Sequence, residues 1–293
     1  ALTAYRRLCR GLDCDFEEKD AYVYSLHDRG ALEREMEALR VIGIPAELSE
    51  RVPLPLPTMG AVKFPCQGQF HPLKFLCAIA RDLPIHEHTP VLELAPGRAV
   101  TERGTVTAPA IIVCTHFPFL NKHGSYFLKL YQERSYVIAL EGAGQVEGMY
   151  LDEATGGLSF RNQKDLLLLG GGGHRTGKPG EGWEKLRTFA RFHYPQAKEV
   201  AHWATQDCMS LDGVPYIGRY SAAARGLYVA TGFNKWGMTS SMVSAMVLAD
   251  LITRGKSPYE ALFSPSRRAF RPQLALNGVE AAISLLTPTR PRC

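Results

Sequence analysis

The stretch Gly226–Gly255, GLYVATGFNKWGMTSSMVSAMVLADLITRG, constrains the fold more than any other part of the chain. Leu227–Thr231 is a short apolar, β-branched run bounded by glycine, the mark of a buried strand. Gly232–Gly237 is a tight loop, and Thr239 or Ser240 is placed to cap the helix that follows. That helix runs to about Arg254 and stops at Gly255. Its interior (Met242, Val243, Ala245, Met246, Leu248, Ala249, Leu251, Ile252) is small and apolar, which predicts a buried helix. A strand, a glycine loop and a helix together present unpaired backbone N–H groups to whatever lies above the loop. The pattern alone is equally that of a plain joint in an α/β core.

Length and composition set the outer bounds. A chain of 293 residues buries a full core and holds one large or two modest domains. No run of about 18 apolar residues occurs, so no transmembrane segment is expected. The start, ALTAYRRLCRGLD, lacks both a signal-peptide core and an initiator Met, and reads as the interior of a longer chain. The net charge of +5 gathers partly at the ends (Arg6, Arg7, Arg10; Arg267, Arg268, Arg271, Arg290, Arg292). No basic block interleaves with aromatics, which argues against a nucleic-acid partner. Seven cysteines without a C-x-x-C pair point to reduced thiols and a cytoplasmic location, with no metal-ligand spacing.

Taken in order, Leu2–Cys9 is helical and Asp15–Leu26 forms one or two short strands. Asp28 caps a helix over Ala31–Val41, and Pro53, Pro55 and Pro57 stiffen the connector after it. Pro72 opens a helix with Leu73, Leu76, Cys77 and Ala80 as its apolar stripe, His71 capping it or standing exposed. Ile85–Val91 alternates like a strand, with His86 and His88 on one face but no third metal ligand nearby. Ile111–Pro118 is an apolar strand ending in Thr115-His116. Tyr131–Leu140, Met149–Leu151, Ser159–Arg161 and Leu166–Leu169 are strands on short turns, hence antiparallel, and Gly182–Tyr194 is a helix. Val214–Ile217 is a short strand, Tyr259–Phe263 and Leu274–Leu286 are helical, and residues 287–293 are an extended tail. Gly172–Lys178 has phosphate-loop spacing, but Pro179 stands where the metal-binding hydroxyl belongs, and nucleotide hydrolysis is set aside. A glycine-rich strand end beside a ligand is the better reading.

Gly-Phe-Asn-Lys-Trp-Gly-Met-Thr, residues 232–239, resembles the carboxy-terminal flavin loop of the D-amino-acid-oxidase-like FAD oxidoreductases. Arg134-Ser-Tyr-Val, the glycine-rich strand end, Trp203-Ala-Thr-Gln-Asp and Asp212-Gly-Val-Pro-Tyr-Ile-Gly follow the family in order, most like its Rieske-domain-containing subgroup. The resemblance covers about residues 1–270. It lacks two family parts, the amino-terminal G-x-G-x-x-G unit and the Rieske domain with its Cys-x-His pairs. The implied fold is α/β (α+β): an incomplete FAD/NAD(P)-binding domain plus a mainly antiparallel β substrate-binding domain with helices. The corresponding division is 1–60 and 120–202 for the substrate domain, 61–119 and 203–262 for FAD-domain segments, and 263–293 for a basic linker or tail.

The resemblance also implies the chemistry. FAD would be held by Val91, Thr115, His116 and the loop residues Gly232, Phe233, Asn234, Lys235, Trp236, Gly237, Met238 and Thr239. His116 stands where the family has glycine, which hinders close backbone approach there. Arg134, Tyr136 and Lys235 are the candidates to face substrate or flavin N5, Arg134 as a bidentate carboxylate clamp or else a plain surface charge. The implied reaction oxidises the C–H next to an amine, in an amino acid or related small molecule, by hydride transfer to N5. A 2Fe-2S centre enters only in a longer chain, and the electron acceptor stays open. The second reading is a cofactor-free remnant that serves only as a folded interaction module.

Overall fold

The period-two alternation of the middle of the chain builds one large sheet, and the glycine-bounded stretch near the end builds a smaller one beside it. The computed structural model describes residues 1–119, 124–267 and 272–286. Arg268, Arg271, Arg290, Arg292, Cys293 and the tail 287–293 lie outside the described residues.

In chain order the first elements are α1 (Leu2–Cys9), β1 (Glu17–Ser25), α2 (Arg29–Val41), β2 (Glu47–Ser49), β3 (Gly60–Gln69) and α3 (Pro72–Ala80). There follow β4 (Val91–Ala95), β5 (Arg98–Thr101), β6 (Gly104–Thr107), β7 (Ile111–Val113) and α4 (Tyr126–Lys129). Next come β8 (Leu130–Glu141), β9 (Met149–Asp152), β10 (Ser159–Gln163), β11 (Leu166–Arg175), α5 (Trp183–His193) and β12 (Lys198–Ser210). The last are β13 (Tyr216–Arg219), β14 (Leu227–Thr231), α6 (Gly237–Arg254), α7 (Glu260–Phe263) and α8 (Pro272–Leu286).

The large sheet has the order β12-β8-β11-β10-β9-β1-β3-β2. Its neighbours run antiparallel except β1 and β9, which are parallel. The sheet thus takes in β3 and the end of β12, carrying it across the 60/61 and 202/203 boundaries read from the sequence. Ile138, Leu169, Phe160 and Tyr150 form one cross-strand row. With Leu140, Leu167 and Leu186 of α5 they make the main core, each side chain at 3% exposure or less. Burying each stabilises the fold by roughly 1.5–3 kcal/mol. The adjacent row, Val137, Gly170, Ser159 and Leu151, faces the other way.

The second sheet is β13-β14-β7, in which β14 runs antiparallel to β13 and parallel to β7. A core of Val113, Tyr126, Leu130, Cys208, Tyr216, Tyr220, Leu227 and Val229 lies on it. A third sheet, β4-β5-β6, is an antiparallel meander. Helix α1 docks through Tyr5, whose ring meets Phe70 and Phe75 and whose hydroxyl donates to Met238 O at 2.8 Å. Among the described residues no helix is long and apolar enough to cross a membrane.

Several local expectations change. Asp28 does cap α2, accepting from Ala31 N, and α6 ends at Gly255 with φ +75°. Neither Thr239 nor Ser240 caps α6: it begins at Gly237 behind Trp236 with no side-chain cap bond. The helix is also not buried all round. Ser240, Ser244, Val247, Leu248 and Leu251 form a single inward stripe, while Met246 and Ile252 are exposed. Ile85–Pro90 is not a strand, and His86 and His88 stand on exposed chain ahead of β4. On α3 the inward residue is Phe75, while Leu73 and Leu76 face out. Composition gave that helix two apolar sides, and packing against the Tyr5 cluster selected the aromatic one.

Candidate functional site

The loop after β14 is held in an uncommon backbone shape. Gly232 has φ +71°, and a Cβ there would lie 3.1 Å from Leu130 Cδ2 and 3.3 Å from Ser210 Cβ. Asn234 and Lys235 are both left-handed, at φ +51° and +69°, a conformation Asn tolerates better than most residues. Asn234 is pinned to the end of β12. Its N–H donates to Cys208 O, its Oδ1 accepts from Ser210 N at 2.8 Å, and its Nδ2 donates to Gly232 O at 2.7 Å. Trp236 N then donates to Phe233 O and turns the chain into α6. The N–H groups of Gly237, Met238 and Thr239 have no acceptor among the described residues. This end of α6 therefore carries free donors and the positive pole of an 18-residue helix.

Two cavities flank the loop. One, of about 480 Å³, is lined mainly by apolar groups of β7, β14 and the second to fourth turns of α6, including Ile112, Ala230, Phe233, Ala245 and Leu248. His116, Thr231 and Gly232 complete it. His116 adopts φ +63°, in the left-handed region that favours glycine, and its carbonyl accepts from Thr231 Oγ1.

The other cavity, of about 620 Å³, lies in front of the Val137–Gly170–Ser159–Leu151 row. Tyr131, Glu133 and Ser135 of β8 border it, facing Thr205, Asp207 and Met209 of β12, with Lys235 reaching in from the loop. Lys235 Nζ is 2.8 Å from Glu133 Oε2 and 3.4 Å from Ser135 Oγ. A Cβ at position 173 would lie 3.1 Å from that ammonium nitrogen, so the glycine-rich end of β11 leaves room for the lysine. The strand continues through Gly170–Gly173 to Arg175, its pairing with β8 shifting register between Gly171 and His174, with no helix opening at Lys178 as a phosphate loop requires. Burial pushes the Asp207 carboxyl above the usual carboxylate range, reinforced by Glu133 and opposed by Lys235 and His116.

The structure brings together Lys235, the rest of Gly232–Thr239 and His116, and leaves other candidates apart. Arg134 is exposed, and the pleat turns it away from its neighbours Glu133 and Ser135. Tyr136 borders the polar cavity, yet its ring packs on Trp183 and its hydroxyl shares a 3.0 Å hydrogen bond with His174 Nε2. Val91, on β4, lines neither cavity. Thr115 is exposed and donates to Phe117 O at 3.1 Å. Trp236 is exposed at the head of α6, beside Met238 and Thr239. Glu133, Ser135 and Asp207 were missed. Their signal was present as the i, i+2 spacing of β8 and β12, but not its phase.

An apolar slot beside an open helix amino terminus and a close-approach glycine suits a flat aromatic cofactor that becomes anionic on reduction. FAD is such a group, so the residues present fit the one the sequence implied.

Comparison with known proteins shows the family and the fold. Residues 1–251 match the family model DAO, FAD dependent oxidoreductase. The putative Rieske 2Fe-2S iron-sulfur protein YhfW of Bacillus subtilis is 36% identical over 282 residues, which cover 90% of this chain and 55% of that protein. The chain thus spans about half the length of that curated relative. Among solved structures, glycine oxidase from Geobacillus kaustophilus superposes with a TM-score of 0.77 at 22% identity, covering 91% of this chain and 80% of that one. L-proline dehydrogenase from P. horikoshii gives 0.75 at 18% identity over the same two shares. At these identities the two structures speak for the fold.

Proposed function

This chain belongs to the DAO family of FAD dependent oxidoreductases, and from that premise we propose that it binds FAD at the Gly232–Thr239 loop and oxidises a small amine in the polar cavity beside it. The observation that carries the reading is the position of Lys235. It belongs to the flavin-type loop by sequence and to the polar cavity by its ion pair with Glu133. One loop therefore serves two compartments, an apolar slot for a cofactor and a charged chamber for a substrate.

In this reading the free N–H groups of Gly237, Met238 and Thr239 and the α6 dipole would stabilise the negative charge of the reduced cofactor, and Gly232, Phe233 and His116 would wall its slot. When bound, FAD supplies a two-electron acceptor that takes hydride from the carbon bearing the amine, the amine losing a proton to become an imine. Lys235, held by Glu133 and Ser135, places a positive charge at the border of the two compartments. Asp207, with its raised affinity for a proton, is the group placed to hold the proton released from the amine. Asn234 keeps the loop in shape by its bonds to β12. Arg134, exposed on the other side of β8, is given no part, and neither is Val91. Delivery of electrons to a Rieske centre in a longer chain is part of the proposal, supported by the name of the Bacillus relative.

The test is an absorbance titration of the chain with FAD, alongside the variant Gly237→Val. A Cβ at Gly237 meets nothing within 4 Å, so the variant should keep its fold. It places a branched side chain over the free donors, and FAD affinity should fall by about tenfold or more, roughly 1.4 kcal/mol. Unchanged affinity would move the flavin away from this loop. No FAD binding by the unaltered chain would favour the cofactor-free reading.

A further inference from the structure

The chain leaves the smaller sheet just where it enters the apolar slot. Strand β7 pairs with β14 through Ile111 and Leu227, Ile112 and Tyr228, and Val113 and Val229, and the pairing stops there. Among the described residues, none of 115–118 makes a backbone–backbone hydrogen bond. His116 nevertheless sits at φ +63° and walls the slot. A left-handed residue with a side chain carries a backbone penalty and persists only where its surroundings hold it. Thr115 Oγ1 donates to Phe117 O at 3.1 Å, but that bond lies within the turn itself. Phe117 packs on the smaller core by apolar contact alone. The hydrogen bond that reaches the sheet comes from Thr231, the last residue of β14, which is 2% exposed and donates through Oγ1 to His116 O.

Thr231 has a second partner, Cys208 Sγ of β12 at 3.6 Å. Burial pushes the Cys208 thiol up, so it stays protonated. Because the threonine hydrogen goes to His116 O, the thiol is the donor to Thr231 Oγ1. A chain of hydrogen bonds thus runs from β12 through the end of β14 to the turn after β7, and Cys208, Thr231 and His116 all line the slot.

We propose that Thr231 is a positioning residue, whose hydroxyl holds His116 in the left-handed turn and so sets one wall of the slot. The inference rests on the flavin reading for what fills the slot, while the hold on His116 is a property of the chain itself. Glycine takes φ +63° without the side-chain penalty. The hydroxyl should therefore matter most when residue 116 carries a side chain. A merely structural hydrogen bond would cost the same to lose whatever stands at 116, and a double-mutant cycle separates the two roles.

The unaltered chain, Thr231→Val, Thr231→Ser, His116→Gly and the double variant His116→Gly/Thr231→Val are compared by FAD titration and by urea denaturation. Valine has the shape of threonine without its hydroxyl, and Thr231→Val should weaken FAD binding by about tenfold. Thr231→Ser returns the hydroxyl and should recover affinity to within about threefold of the unaltered chain. Whatever affinity His116→Gly has by itself, adding Thr231→Val to it should cost less than about threefold. In urea, Thr231→Val should lower the midpoint more in the histidine chain than in the glycine chain. Undiminished affinity in Thr231→Val, no recovery in Thr231→Ser, or an equal cost in both backgrounds by either measurement overturns the proposal. Failure of the flavin reading is distinguishable, since the unaltered chain would then take up no FAD. The urea cycle would decide alone in that case: additive substitutions overturn the positioning role, and a smaller loss in the glycine chain supports it.

Discussion

Asn234 shows how much of the site depends on a single side chain. It ties the loop to β12 through Ser210 N and closes the loop on itself through Gly232 O, while its backbone sits at φ +51°. Replacing it with Ala removes both bonds and puts a less tolerant residue in the left-handed region. The expected loss is about 2–4 kcal/mol in urea denaturation, the sum of the unmet hydrogen bonds and the backbone penalty. Asn234→Gly keeps the φ and loses only the bonds, so it should fall between. Equal stabilities for Asn234→Ala and the parent would mean the loop is held by something else. The same scale explains what the sequence hid. The alternation of β8 was legible, yet Arg134 was a candidate where Glu133 and Ser135 face the cavity, and Tyr136 only borders it with its ring turned onto Trp183. A shift of one residue reverses every side chain of a strand, and only the burial of Ile138 and Leu140 beneath α5 sets that phase.

At the scale of elements, the parts with local chemical signals were legible and those decided by packing were not. Asp28 before α2, Pro72 in α3, the Leu227–Thr231 strand and Gly255 after α6 carry their own reasons for being where they are. The start of α6 does not, because its loop is fixed by Asn234 from a distance rather than by a cap. Nor was the clamp between α7 and the β12–β13 turn foreseen. Arg267 donates to both oxygens of Asp212 at 2.7 Å and to Pro215 O, and its guanidinium lies 3.9 Å from the Tyr216 ring centroid. The hydrogen bonds from Arg267 hold the Asp212 carboxyl below the usual carboxylate range. A depressed carboxylate contributes stability that is present above its unfolded pKa, about 4, and is lost as pH falls through the folded value. Arg267→Ala should therefore cost about 3 kcal/mol near neutrality, where it leaves a part-buried carboxylate unpaired. The difference from the parent should shrink as denaturation is repeated from pH 5 down to pH 3. A gap that stays constant over that range would remove the ion pair from the account.

For the whole molecule, the question is whether the two cores are one folding unit. Strand β8 starts in the smaller core with Leu130 and ends in the main one with Ile138 and Leu140, and β12 places Cys208 in the smaller core and Ala204 against the main one. The longest strands of the large sheet are thus also the walls of the smaller core, and the loop that proposes itself for FAD is bonded to the end of one of them. Neither core can open without tearing β8 and β12 from each other along their paired length. Leu130→Ala tests this, because Leu130 is 2% exposed and lies under Gly232, far along β8 from Trp183. Truncating a buried leucine costs about 2–5 kcal/mol. If the molecule unfolds as one cooperative unit, fluorescence measured in a Trp203→Phe/Trp236→Phe background, where Trp183 packed on the main core is the one emitter left, should move to lower urea by the same amount as far-UV circular dichroism. A fluorescence midpoint left at the parent value while the circular dichroism splits in two would mean the cores unfold separately. The site between them would then be assembled only when both are folded, and the cofactor would be expected to couple them.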